Sequence, residues 1–76
     1  MKKVFQERQL AVLAQRFREA AGKTRAQAAR EMKVSQVSIF RAEESPEESL
    51  TKLRRRMVEK FSPFKVAGPF YQLQRK

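Results

Sequence analysis

The side chains in this 76-residue chain that could do chemistry are amides, hydroxyls and cations rather than nucleophiles. There is no Cys and no His, no Gly-rich phosphate loop, and no paired nucleophile and base. Catalysis has little to work with, and no enzyme, cofactor or Cys-based metal site is expected. The useful groups gather between Lys23 and Glu43. Gln36 carries an amide that donates and accepts along one edge, Arg41 a planar fork of donors, Ser38 a hydroxyl, and Val37 only methyls. Lys23, Arg25 and Lys33 surround them with charge. Eighteen Lys and Arg against eight acidic residues give a net charge of +10. That excess suits a polyanion, nucleic acid first and an anionic membrane second. The membrane fits poorly, because no apolar run approaches the ~18–20 residues of a span and the amphipathic stripes have only core width.

Two short helices must hold these groups. Thr24 is an N-cap with Gln27 three residues later, a capping-box pattern. Ala28, Ala29 and Met32 then form an inner stripe. Lys33-Val34 break the helical phase and Ser35 caps a second helix. Its inner positions are Ile39 and Ala42, which leaves Val37, Ser38, Phe40 and Arg41 outward. The small Ala28 and Ala29 admit a close crossing, as a helix-turn-helix requires.

Upstream, the periodicity predicts a helix from about Gln6 to Ala21 with Leu10, Leu13, Phe17, Ala20 and Ala21 on one stripe, and Gly22 as its stop. Phe5 and Val12 fall on the opposite face. They are either ordinary exposed apolar residues or a second contact surface. Downstream, a helix can start at Pro46 or at Leu50, and a loop followed by a helix from about Leu50 is preferred. Leu50, Leu53, Met57 and Phe61 form its stripe, and Lys52, Arg54, Arg55, Arg56 and Lys60 cover the rest as a solvated face. Ser62-Pro63 ends it. Residues 63–76 are aromatic, partly β-branched and broken by Gly68-Pro69. They read as one or two extended segments.

The stretch from Thr24 to Glu43 resembles the helix-turn-helix of the phage Cro and repressor family, whose pattern runs Thr-Gln-x-x-Leu-Ala-x-x-Leu-Gly-Val-Ser-x-x-x-Ile-x-x-Ile-Glu. Thr24, Ala28, Ala29, Met32, Val34, Ser35, Ile39, Ala42 and Glu43 match it. Lys33 replaces the usual turn Gly, Ala28 and Ala42 replace larger residues, and Arg25 stands where Gln is common. Lys33 therefore implies a left-handed conformation at a non-Gly residue. The resemblance implies a recognition helix that enters the major groove amino end first. Gln36 would then pair with adenine, Val37 would meet a thymine methyl, and Arg41 would read guanine or grip a phosphate. Ser38 could serve either role. Phe40 would lie on the groove wall or, preferably, pack back on the loop near Pro46. Lys23, Arg25 and Lys33 would hold phosphates. Arg18 would pair with Glu43 and brace the first helix against the third. The family usually has a fifth helix where this chain has its extended tail, and members with a carboxy-terminal strand are the nearest parallel.

These readings give a mainly α fold: a four-helix domain over residues 1–62 with a helix-turn-helix, then an extended arm, open to a β reading, over 63–76. The expected function is sequence-specific binding of double-stranded DNA by a transcriptional regulator. A domain this small often needs a partner. A homodimer is expected, with the segment from about Pro69 to Gln74 pairing as a strand across a two-fold axis through Phe70, Tyr71 and Leu73. The alternative for the tail is folding back on its own domain. No small-molecule ligand is expected. The absence of a long apolar segment behind Met1-Lys2-Lys3 predicts no signal peptide and, with no Cys, a cytoplasmic protein. Glu44, Glu47 and Glu48 argue the other way, since they place acid where relatives contact phosphate. They support an alternative reading as a protein-interaction module, an antitoxin or adaptor whose helix-turn-helix does not read sequence. Non-specific packaging of nucleic acid is a third.

Overall fold

Four helices and a terminal hairpin follow one another in the computed structural model, which describes residues 6–67 and 71–76. They are α1 (Glu7–Ala20), α2 (Arg25–Met32), α3 (Gln36–Glu44), α4 (Thr51–Phe61), β1 (Phe64–Ala67) and β2 (Gln72–Arg75). Local chemistry sets most boundaries. The Gln6 N–H donates to Gln9 Oε1 at 2.7 Å to open α1. At its other end the Gly22 N–H reaches Glu19 O and the Lys23 N–H reaches Arg18 O. That double closure needs a left-handed residue, and Gly22 supplies it at φ +73°. The Thr24 capping box forms with both bonds, 2.8 and 3.1 Å. Lys33 turns the chain at φ 58°. Ser35 Oγ then accepts from the Ser38 N–H at 3.0 Å to start α3.

The core is built from Leu10 and Ala14 of α1, Ala28, Ala29 and Met32 of α2, Ile39 and Ala42 of α3, Met57 and Val58 of α4, and Val66 of β1. Four of these are alanines, so backbones approach closely and the larger Leu10, Ile39, Met57 and Val58 fill the centre. Each of those four is fully buried, a contribution of roughly 1.5–3 kcal/mol apiece. The α1 stripe differs from expectation. It centres on Leu10, Ala11, Ala14 and Arg18, with the expected Leu13 and Phe17 half-buried against the same core, while Ala20 and Ala21 are exposed. Ala20 is the last helical residue and Ala21 its C-cap, both beyond the buried Arg18.

The largest departure is Arg54. Expected on a solvated face, it is wholly buried. Its Nε donates to Ala42 O (2.9 Å), Nη1 to Glu48 O (2.7 Å) and Glu7 Oε1 (3.0 Å), and Nη2 to Ser45 O (2.6 Å). One guanidinium therefore satisfies the end of α3 and the loop after it. Glu7 balances the charge and also accepts from the Leu50 N–H at 3.0 Å. The next two arginines tie other elements: Arg55 donates to Val66 O and Arg56 to Met32 O, each at 3.0 Å. An orphan carbonyl at a helix end is costly to bury, and Arg56 answers that for α2.

β1 and β2 pair antiparallel, with Val66 opposite Leu73 and Phe64 opposite Arg75. The tail thus folds back on its own chain, and β2 begins at Gln72 rather than near Pro69. Gly68, Pro69 and Phe70 lie outside the described residues, as does Phe5. Val66 packs inward against α4, with its N–H on Glu59 Oε2 at 3.0 Å. Phe64 meets Phe17 of α1 with ring centroids 6.0 Å apart. Tyr71 and Leu73 are half-buried against the same core. Because Val66 directs its backbone groups away from β2, its partner Leu73 directs its own off the outer edge of the sheet.

Candidate nucleic-acid interface

α3 buries Ile39, Ala42 and Glu43 and turns Gln36, Val37, Phe40 and Arg41 outward. Positions 36 and 40, and 37 and 41, are four apart and stack along one face. Val37 is 64% exposed, and Gln36 makes no hydrogen bond through its side chain among the described residues. Ser38 is set apart from this face. Its hydroxyl lies 2.8 Å from Ser35 Oγ and belongs to the cap.

The cations expected to hold phosphates are mostly engaged. Lys23 pairs with Glu31 at 2.8 Å, and this holds the Glu31 carboxyl below its ordinary range. Arg25 donates to Glu43 Oε1 at 2.9 Å and to Glu44 Oε2 at 2.5 Å, which raises its pKa above the ordinary arginine value, the Glu43 bond contributing most. The same guanidinium lies 4.9 Å over the Phe40 ring. Phe40 thus floors an arginine while remaining 49% exposed. Arg41 is held by Glu48 through both Nε, at 3.1 Å, and Nη2. That pair lowers the Glu48 pKa and raises that of Arg41. Lys33 alone of these four is exposed with no ion pair among the described residues.

Glu43 is the hinge of the arrangement. Its side chain is fully enclosed, and Arg18 grips it with Nε at 2.5 Å and Nη2 at 3.0 Å. Arg18 Nη1 also donates to Lys23 O at 2.7 Å. A single carboxylate therefore joins α1, the start of α2 and the end of α3, with Arg18 and Arg25 on either side. Sequence reasoning finds Arg18 and Glu43 but not Arg25 as the second partner. The signal is the Glu43-Glu44 pair itself, which offers more acid than Arg18 can use.

Charge is unevenly spread along the chain. Residues 23–48 hold five cations, Lys23, Arg25, Arg30, Lys33 and Arg41, and five carboxylates, Glu31, Glu43, Glu44, Glu47 and Glu48. The α2–α3 pair and its loop are therefore neutral. Residues 49–76 hold eight Lys and Arg against Glu59 alone. No metal-binding group of acidic side chains occurs among the described residues, and no described helix is long and apolar enough to cross a membrane. Comparison of the chain with protein-family models, with curated proteins and with solved structures returns no match.

Proposed function

We propose that α3 is a recognition helix for double-stranded DNA and that the protein is a cytoplasmic transcriptional regulator of the Cro-like kind. The observation that carries this is the outer face of α3. A short helix, capped at Ser35 and braced from behind by Arg18–Glu43, offers a hydrogen-bonding amide at Gln36 and a bare aliphatic group at Val37 beside its amino end. Those groups suit an adenine edge and a thymine methyl. Lys33 stands at the same end to meet a phosphate. Arg41 and Arg25 join the contact by exchanging a carboxylate for DNA. A homodimer on a two-fold site is supported by the outer edge of β2, unpaired among the described residues, which two copies can share through Leu73 with Tyr71 alongside.

The neutral α2–α3 surface favours one rival, a protein-interaction module in which the Arg25 and Arg41 pairs never open. Selection of bound sequences from a pool of random duplexes separates them. A two-fold consensus supports the regulator. Binding without a consensus supports packaging, and no enrichment supports the interaction module. A protein that sediments as a monomer at micromolar concentration removes the dimer.

A further inference from the structure

Most of the net positive charge falls in residues 49–76, which carry +7 of the chain's +10. Lys52, Arg56 and Lys60 are four apart and form one exposed stripe along α4. Two adjoining surface hollows run beside it, one lined by Lys52, Arg55, Arg56 and Glu59, the other reaching Lys60 and Lys76. Lys76 Nζ is anchored at the rim by Glu59 O and, at 3.0 Å, by Ser62 O. The two acids near this face are occupied. Glu59 Oε2 accepts the Val66 N–H, and Glu31 is held by Lys23. Lys52, Arg56 and Lys60 have no ion pair among the described residues, and Arg56 commits only one donor nitrogen, to Met32 O. Surface cations are usually scattered among acids. Here three stand in a row, with Glu59 and Glu31 the acids beside them.

We infer that this face of α4 is a second nucleic-acid surface, one that grips the phosphate backbone of a duplex without reading its sequence. Cations at one-turn spacing along a rigid helix can follow a line of phosphates, and neutralising them releases counterions. An anionic membrane is the competing polyanion, but it requires apolar groups among the cations. Among the described residues the large exposed apolar ones are Val12, Val37 and Phe40, and none is on α4. Backbone binding at α4 supplies the affinity that the neutral α2–α3 pair lacks, and leaves α3 to select sequence.

The test is the salt dependence of binding to a short random-sequence duplex, using the full chain. Lys52 and Lys60 make no hydrogen bond or ion pair that the fold needs, so Lys52→Gln with Lys60→Gln is expected to fold as the parent does. The slope of log affinity against log salt should fall by nearly two units, at about 0.9 for each phosphate no longer neutralised. Lys65 is exposed on β1 and alternates with the inward Val66, so Lys65→Gln should leave the slope unchanged. Amide shifts on adding the duplex should include residues 52, 56 and 60. An unchanged slope in the double variant, shifts confined to α3, or equal binding to vesicles of anionic lipid would each overturn the inference. Failure to select a consensus sequence leaves it standing, because backbone binding needs none.

Discussion

Replacing Arg18 by Met removes a cation that touches no outward surface, and tests whether α3 is held by its buried carboxylate. Methionine replaces the aliphatic stem but none of the three donor groups. Glu43 would keep only Arg25, at 2.9 Å, and Lys23 O would lose its 2.7 Å donor. Stripping one partner from a buried pair costs ~3–5 kcal/mol. The remaining Arg25 bond places the expected loss near the lower end, about 3 kcal/mol. At ~0.05–0.15 kcal/mol per residue, a chain of this length has roughly 4–11 kcal/mol in all, so the loss is a large share. The expected fall in Tm is roughly 12–24 °C, taking ~4–8 °C per kcal/mol for a domain of this size. Adding Glu43→Leu to Arg18→Met removes the stranded charge and should recover much of the loss. The assay is urea and thermal unfolding of the parent, both single variants and the double, read as a cycle. If Arg18→Met stays within about 1 kcal/mol of the parent, as a surface pair would, the bracing role is wrong.

Four more outcomes follow from the same geometry. Arg54→Met should destabilise the domain by ~3–5 kcal/mol in urea, because it takes the guanidinium from Ala42 O, Ser45 O and Glu48 O and strands the Glu7 charge; a neutral result would mean the loop rearranges cheaply. Glu48→Gln should release Arg41, strengthen duplex binding and steepen the salt slope by about one unit, whereas an unaltered slope would place Arg41 away from DNA. The Glu48 pKa is lowered in the folded chain, so its pair with Arg41 holds above the usual carboxylate range and opens as pH falls through the folded value. With no His, binding to a duplex should be flat across about pH 5–8 and rise only in more acid solution, as a fluorescence titration would reveal. Gln36→Ala should weaken binding to a selected site by roughly 1–3 kcal/mol and scarcely change random-sequence binding; equal losses on every duplex would remove Gln36 from readout.

Features set by near neighbours are legible in the sequence. The Thr24 and Ser35 caps, the stop at Gly22, the left-handed Lys33 and the start of α4 after Leu50 each depend on a few adjacent residues. Distant partners are harder to read. In the sequence Arg54 is one cation in a run of three. Its inward position follows from spacing with Leu50, Met57, Val58 and Phe61, but the acceptors that make burial tolerable lie on α1, α3 and the loop. Arg25 reads as available because Glu43 and Glu44 are 18 and 19 residues away along the chain. The hairpin reads as extended segments, yet which strand β2 chooses turns on Val66, whose outer edge is taken up by Arg55 and Glu59 of α4. Periodicity locates a face, but not the opposing groups that will neutralise it.

Three consecutive arginines give this fold a direction in time. Arg54 reaches back to Glu7 and Ala42, Arg56 back to Met32, and Arg55 forward to Val66. During synthesis the first three helices emerge before the residues that fasten them. Until the middle of α4 has left the ribosome, the carbonyls of Ala42, Ser45 and Glu48 have no guanidinium to close on, and the core lacks Met57 and Val58. A growing chain is therefore expected to stay open while its first three helices are made and to close late, from α4. Amide exchange on chains cut at residue 50 should find α3 unprotected, and protection there despite the cut would mean that it closes earlier. The segment that locks the domain is thus also the one whose loss to premature termination it can least survive.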